Sequence, residues 1–308
     1  MQRNINKPIF VVGSPRSGTS ILTWCLGQHP NIFPVPESNW MGQFAVNVAI
    51  SHGIGTARND RTILSAMDIS REEFFANFGQ SINELILSHR SDLERKRKLP
   101  LSTEPKMRWV DGTPEYSLHI CGLRKLFPEA VFIHLVRDVR DVVRSMLNFH
   151  RVAGTHLVQN EQQAYKHWLR MVKACVLAER AYGPDVVRRL HYTALIDDPV
   201  SAIRSLLDFV GEPYCARCLK PLSRRINSSN VPPDFVAEDP ATDPRIVWDA
   251  TNLYTKLQEV SQSAEASSAV ADEIEAAFTE QVQHMATVVK QLHKAAQKIR
   301  TPEKQDSP

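Results

Sequence analysis

Ile9-Phe-Val-Val-Gly-Ser-Pro-Arg-Ser-Gly-Thr-Ser-Ile-Leu-Thr-Trp-Cys25 decides the fold. Its first four residues are an apolar run between Pro8 and Gly13, the pattern of a strand buried on both faces and hence of a parallel sheet. Gly13 to Gly18 form a tight turn rich in Gly, Ser and Pro. From Thr19 onward the apolar residues Ile21, Leu22, Cys25 and Leu26 fall at helical spacing. The unit is therefore strand, glycine loop, helix. The first N–H groups of such a helix lack intrahelical partners and sit at its positive end, so a phosphate is the expected occupant.

The loop departs from the triphosphate-binding pattern G-x-x-x-x-G-K-[ST] at one position: Thr19 stands where the lysine belongs. A nucleotide triphosphatase needs that lysine on its β- and γ-phosphates. Here the cation is Arg16, inside the loop. This arrangement suits a ligand with one cradled phosphate and one transferable anionic group. An ordinary β–α turn of similar composition is the competing reading.

Pro15-Arg-Ser-Gly-Thr-Ser20 resembles the 5′-phosphosulfate loop of sulfotransferases that use 3′-phosphoadenosine 5′-phosphosulfate (PAPS). It is closer to the Golgi and bacterial branch, with Arg, than to the cytosolic branch, with Lys. The resemblance implies a P-loop-like α/β three-layer sandwich with a central parallel sheet and helices on both faces. It also implies that Arg16, Ser17, Gly18, Thr19 and Ser20 bind the cofactor. Glu37, 21 positions after Arg16, falls where that branch carries its catalytic base, although a helix-capping carboxylate is equally at home there.

Two further segments extend the likeness. Val131 to Val136 reads as a second buried strand ending at Arg137, and ligands of open α/β sheets sit outside the carboxyl ends of strands. Ser145 lies eight positions on. The Arg137/Ser145 pair resembles the family's 3′-phosphate site, and a guanidinium with a hydroxyl suits a phosphate. An ion pair of Arg137 with Asp138 or Asp141 is the alternative. Tyr192-Thr-Ala-Leu-Ile-Asp-Asp-Pro199 and Gly211-Glu-Pro213 resemble the family's later motifs, which place Tyr192 near the nucleotide. Ser228 and Ser229 fall in the position of a loop that closes over it.

One departure stands out. Lys106-Met-Arg-Trp-Val-Asp-Gly-Thr-Pro-Glu-Tyr116 resembles the family's W-x-[DE]-K-T-P-E segment, but the lysine that helps neutralise the sulfonate is replaced by Gly112. Either Lys106 or Arg108 substitutes for it, or Arg16 and the loop N–H groups act alone. His119, just beyond, is a rival base, because cytosolic sulfotransferases use a histidine. His134, inside an apolar strand, is a core histidine with its hydrogen bonds satisfied.

Composition bounds the rest. The chain has 308 residues, 43% of them hydrophobic, enough for one large α/β domain or two small ones. We expect a single domain over 1–300 with a C-terminal amphipathic helix at about 265–300 that covers the domain's flank or forms a homodimer, and a tail over 301–308. No apolar run has the length of a membrane span, and the N-terminus lacks a signal-peptide h-region, which points to a cytoplasmic location. A net charge of +3 argues against a nucleic-acid partner. Five scattered cysteines make neither a disulfide framework nor, with Cys215-Ala-Arg-Cys218 alone, a zinc site, so no metal is expected.

Helices are predicted over Gln43–Ile50, Ser65–His89, Pro114–Leu126, Glu161–Tyr182 and Val200–Val210, with a strand over Val186–Tyr192 and a polar lid-like loop over Val152–Gln162. Phe74, Phe75, Phe78, Ile82, Leu85 and Ile86 form an apolar stripe, core or acceptor-pocket wall. Arg90 to Lys98 is a solvated charge run or a docking patch for an acidic acceptor. The acceptor is a small molecule, lipid or carbohydrate, and nothing in its segments names it. The rival functions are a P-loop kinase or nucleotide hydrolase, which lacks its lysine and a convincing Walker B carboxylate, and a non-catalytic nucleotide-binding module.

Overall fold

The computed structural model describes residues 7–58, 61–96, 107–223, 231 and 235–300. Its strands are β1 (Ile9–Gly13), β2 (Ile32–Pro34), β3 (Arg108–Asp111), β4 (Val131–Val136) and β5 (Val187–His191). They form one sheet in the order β2-β3-β1-β4-β5, every neighbouring pair parallel. Burial of β1 from end to end matches its unbroken apolar run. Alternate residues serve opposite faces: Phe10 and Val12 join one core, Ile9 and Val11 the other.

The helices in chain order are α1 (Thr19–Leu26), α2 (Met41–Gly55), α3 (Ile63–Ala66), α4 (Arg71–Ser88), α5 (Arg90–Lys96), α6 (Ile120–Leu126), α7 (Val139–Leu147), α8 (His150–Ala153), α9 (Glu161–Tyr182), α10 (Tyr192–Asp197), α11 (Pro199–Val210), α12 (Pro244–Glu259) and α13 (Ser268–Arg300). Helices α1 and α11 cover the Ile9/Val11 face; α2, α4, α6 and α13 cover the Phe10/Val12 face. The expected three-layer α/β sandwich is thus present. Phe10 anchors the second layer, stacked on Phe132 at 5.1 Å and edge-on to Trp109 at 5.4 Å.

Strand order positions the site. From β1 the chain crosses to β2, returns to β3 beside β1, and only then crosses to β4 on the far side. The carboxyl end of β1 is the point where the winding reverses, and a ligand crevice opens there.

Several predicted elements have different limits. The helix expected over Ser65–His89 breaks at Asp68, which adopts φ +52°. It restarts at Arg71 because the Ser70 side chain accepts the Glu73 N–H at 3.0 Å, an N-cap written in the sequence as Ser-Arg-Glu-Glu. In the Phe74–Ile86 stripe, Phe75 and Ile82 are buried but Phe78 and Leu85 are exposed. The helix expected over Pro114–Leu126 is a 3₁₀ turn, Pro114–Leu118, followed by α6. Helix α13 lies on α9 and α2, with Phe278 buried and Glu275 2.8 Å from Lys125, so it does cover the flank. No helix among the described residues is long and apolar enough to cross a membrane, and all five cysteines are free.

Candidate active site

The loop after β1 is held open by backbone that only a few residues tolerate. Gly13 adopts φ +149°, Arg16 +70° and Gly18 +106°. At Gly18 a Cβ would lie 2.8 Å from the Tyr192 ring, so glycine lets that tyrosine pack directly under the loop. Ser117 ties the loop's base, its Oγ accepting the Gly13 N–H at 2.9 Å. Helix α1 begins with no side-chain cap, and its first α-helical bond is Leu22 N–H to Gly18 O at 3.2 Å. The N–H groups of Thr19 to Ile21 are therefore left to a ligand. Ser17 is fully buried and its Oγ has no hydrogen-bond partner among the described residues; Thr19 is buried and Ser20 exposed.

Arg16 reaches across to α7. Its Nε donates to Ser145 Oγ at 3.1 Å, and its guanidinium lies 5.0 Å from the Phe149 ring centroid. Arg137 arrives from the end of β4, donates from Nη1 to Arg16 O at 3.3 Å, and stacks 4.6 Å from the Tyr192 ring centroid. It also pairs with Asp141 at 3.4 Å, as the alternative reading expected, while its buried Nε has no hydrogen-bond partner among the described residues. Arg16, Arg137, Ser145 and Tyr192 thus form one constellation with the loop. Burial, and then the neighbouring Arg137, lower the pKa of Arg16; Glu37 opposes that shift.

Glu37 stands exposed at the rim of this constellation. Desolvation by the surrounding protein, then Glu115 and Asp111, raise its carboxyl above the ordinary range, against a downward pull from Arg16. A raised carboxyl near the Arg16 guanidinium and an anion loop is suited to taking a proton from an attacking group. The rival base His119 packs against Gly42 in α2, where burial, then Arg170, lower its pKa. His134 is fully buried in β4, with Nδ1 2.5 Å from Glu179 Oε1, and takes no part in the site.

The missing family lysine has a structural reason. A Cβ at Gly112 would sit 2.2 Å from Thr23 Oγ1 and 3.4 Å from Thr19 O, so α1 packs against bare backbone there. Arg108 does not replace it. It lies at the opposite end of β3, buried, where it donates to Lys7 O at 2.7 Å and to Val210 O and pairs with Glu212 at 3.6 Å. Lys106, Ser228 and Ser229 lie outside the described residues. Among the described residues no cluster of His, Cys, Asp and Glu could hold a metal ion.

Sequence reasoning passed over Phe149, Ser117, Ser38 and Asp111. Only Asp111 carried a local signal, as the acidic residue of the W-x-[DE] segment. The others become visible through contacts between segments far apart in the chain.

Comparison with known proteins places this geometry in context. The model of a family described as "Sulfotransferase family" matches residues 8–215. A Caenorhabditis briggsae protein provisionally named protein-tyrosine sulfotransferase is 25% identical over 219 residues, 71% of this chain and 70% of that protein. Protein-tyrosine sulfotransferase 1 of Danio rerio is 23% identical over 206 residues, 67% of this chain but 53% of the relative, so the chain spans about half of that protein. Among solved structures, the sulfotransferase domain of the Synechococcus PCC 7002 olefin synthase shares 21% identity at a TM-score of 0.44, covering 89% of this chain and 94% of that one.

Proposed function

The chain belongs to the sulfotransferase family, enzymes of sulfonate transfer, and on that premise we propose that it moves the sulfonate of PAPS to a hydroxyl or amine by in-line displacement. The observation that carries this reading is the convergence of Arg137, Ser145 and Tyr192 on the loop that holds Arg16.

The donor set fits such a co-substrate. Three helix N–H groups open α1 next to the buried Ser17, and among the described residues neither Ser17 Oγ nor the buried Nε of Arg137 has a hydrogen-bond partner. PAPS supplies the sulfonate and a phosphate leaving group already bound to it. Arg16, the N–H groups of Thr19 to Ile21 and the Thr19 and Ser20 hydroxyls hold the 5′ end, and they stabilise charge that grows on the leaving oxygen. Arg137 and Ser145 take the 3′-phosphate, which distinguishes PAPS from ATP. Glu37 accepts the acceptor's proton as the new S–O or S–N bond forms and the bond from sulfur to the phosphate oxygen breaks.

The relatives' names make a tyrosyl hydroxyl the first acceptor to screen. Small-molecule, lipid and carbohydrate acceptors follow. The test of the cofactor is calorimetric titration with PAP beside ADP, for wild type and Arg137→Ala. Tight PAP binding, weak ADP binding and loss of that preference in the variant are expected. Equal binding of PAP and ADP would overturn the proposal and return the loop to a kinase or simple nucleotide-binding role.

A further inference from the structure

We infer that Asp111 is a positioning residue that sets the carboxylate of Glu37, acting through Ser38 and Thr113. Asp111 ends β3 and is fully buried. Its Oδ2 accepts from Ser38 Oγ at 2.6 Å. Its Oδ1 accepts from Thr113 N–H at 2.8 Å and Thr113 Oγ1 at 2.6 Å. The Ser38 N–H donates in turn to Thr113 Oγ1 at 3.0 Å. Tyr116 contacts Ser38 Oγ through its hydroxyl and accepts the Met41 N–H at 3.0 Å.

The direction of every bond follows from one proton per hydroxyl. Thr113 Oγ1 gives its proton to Asp111 and accepts from the Ser38 N–H. Ser38 Oγ gives its proton to Asp111, so Tyr116 must donate to Ser38 and accept from Met41. Both chains of donors end on the two oxygens of Asp111, and these bonds favour its carboxylate against the burial that raises its pKa. The network grips the backbone on the C-terminal side of Glu37: Ser38 by side chain and amide, then the first residue of α2. Asn39 between them adopts φ +60°, a turn held by its surroundings. Among the described residues no hydrogen bond fixes the Glu37 side chain, so its placement near Arg16 follows the grip on Ser38.

This inference rests on the reading of Glu37 as the base, and its test needs no acceptor. The variants Asp111→Asn and Ser38→Ala are compared with wild type by exchange of the Ser38 amide and by ¹³C titration of the Glu37 carboxyl, assigned with Glu37→Gln. An amide in place of Asp111 turns one acceptor into a donor facing a donor. In Asp111→Asn we expect Ser38 protection to fall about ten-fold, the value of one such bond. The Glu37 titration should move to lower pH, because a like charge has gone and the carboxyl has been freed to solvent. PAP affinity, measured by calorimetry, should stay within about three-fold. Ser38→Ala removes the hydroxyl link only, and should move the Glu37 titration the same way; it decides the question if Asp111→Asn does not fold. An unmoved Glu37 titration in the folded variants, or a loss of PAP binding equal to the loss of protection, overturns the positioning role. A wild-type protein that fails to bind PAP overturns the sulfotransferase reading instead, and leaves the Glu37 titration as a separate result.

Discussion

Arg16 Nε donates to Ser145 Oγ at 3.1 Å across 129 positions of sequence. The contact joins the loop proposed for the 5′ end of the nucleotide to the helix proposed for its 3′-phosphate. Arg137 closes the same group from the other side by donating to Arg16 O. Arg137 raises the cost of the charge on Arg16, a cost that a polyanion relieves on binding.

Arg137→Ala is therefore expected to weaken PAP by about 10- to 100-fold, the value of a charge-assisted contact. ADP, without a 3′-phosphate, should change little. Ser145→Ala should cost about ten-fold or less. Calorimetry with both nucleotides separates these outcomes, and equal losses for PAP and ADP would place Arg137 elsewhere.

Gly18→Ala meets two obstacles, a positive φ and the Tyr192 ring 2.8 Å from the new Cβ. Its cost in stability should be about 1–3 kcal/mol, with PAP binding lost. In a Tyr192→Ala background the steric part disappears, so the substitution should cost measurably less. A urea-denaturation cycle of the four proteins measures the difference.

Glu37→Gln should lower sulfonate transfer by about 10²- to 10⁴-fold while PAP still binds. In the wild type the base must be ionised to act. Because the Glu37 carboxyl is raised above its ordinary range, the acid limb of the rate profile should lie higher than a free glutamate would place it. A limb at or below the free value, measured as rate against pH with a tyrosyl peptide, would count against Glu37.

Gly112→Lys, which restores the family residue, should destabilise the protein without improving transfer. The new Cβ would press on Thr23 Oγ1 at 2.2 Å, an overpacking that costs about 1–3 kcal/mol. Thermal unfolding of Gly112→Ala isolates that steric cost from the charge.

Beneath the site, Glu179 bridges His134, at 2.5 Å, and Arg189, also at 2.5 Å, in the interior. Burial disfavours the His134 imidazolium, but Cys175 and Glu179 outweigh it and raise the pKa to about 10. A raised histidine pKa contributes stability in full below its unfolded value, 6.5, and loses it as pH climbs through about 10. Urea midpoints should thus decline across that window. Glu179→Gln takes the counter-charge from Arg189, which keeps its bonds to Leu257 O and Val260 O, at a cost of about 3–5 kcal/mol. It also lets the buried His134 go neutral, which removes the alkaline decline.

Much of this was written locally. The strand–loop–helix of residues 9–26, the strand β4 and the helices α9 and α13 depend on apolar periodicity and glycine spacing within one stretch of chain, so their signals survive without neighbours. Even the missed break before α4 had its Ser70 cap in plain sequence. Arg16, Glu37, Arg137 and Ser145 could be named as candidates because a resembled family carries the same residue types at the same offsets.

Tertiary structure alone decided how those residues meet. The reversal of winding at β1 sets β3 on one side and β4 on the other, which brings Asp111 and Arg137 to the same edge of the sheet. Parallel register sends Arg108 to the opposite edge, where it pairs with Glu212. No local pattern reveals that α1 packs onto Gly112, or that Tyr192 lies under Gly18. Such facts belong to distances between segments far apart in the chain, and those distances exist only once the sheet has chosen its strand order.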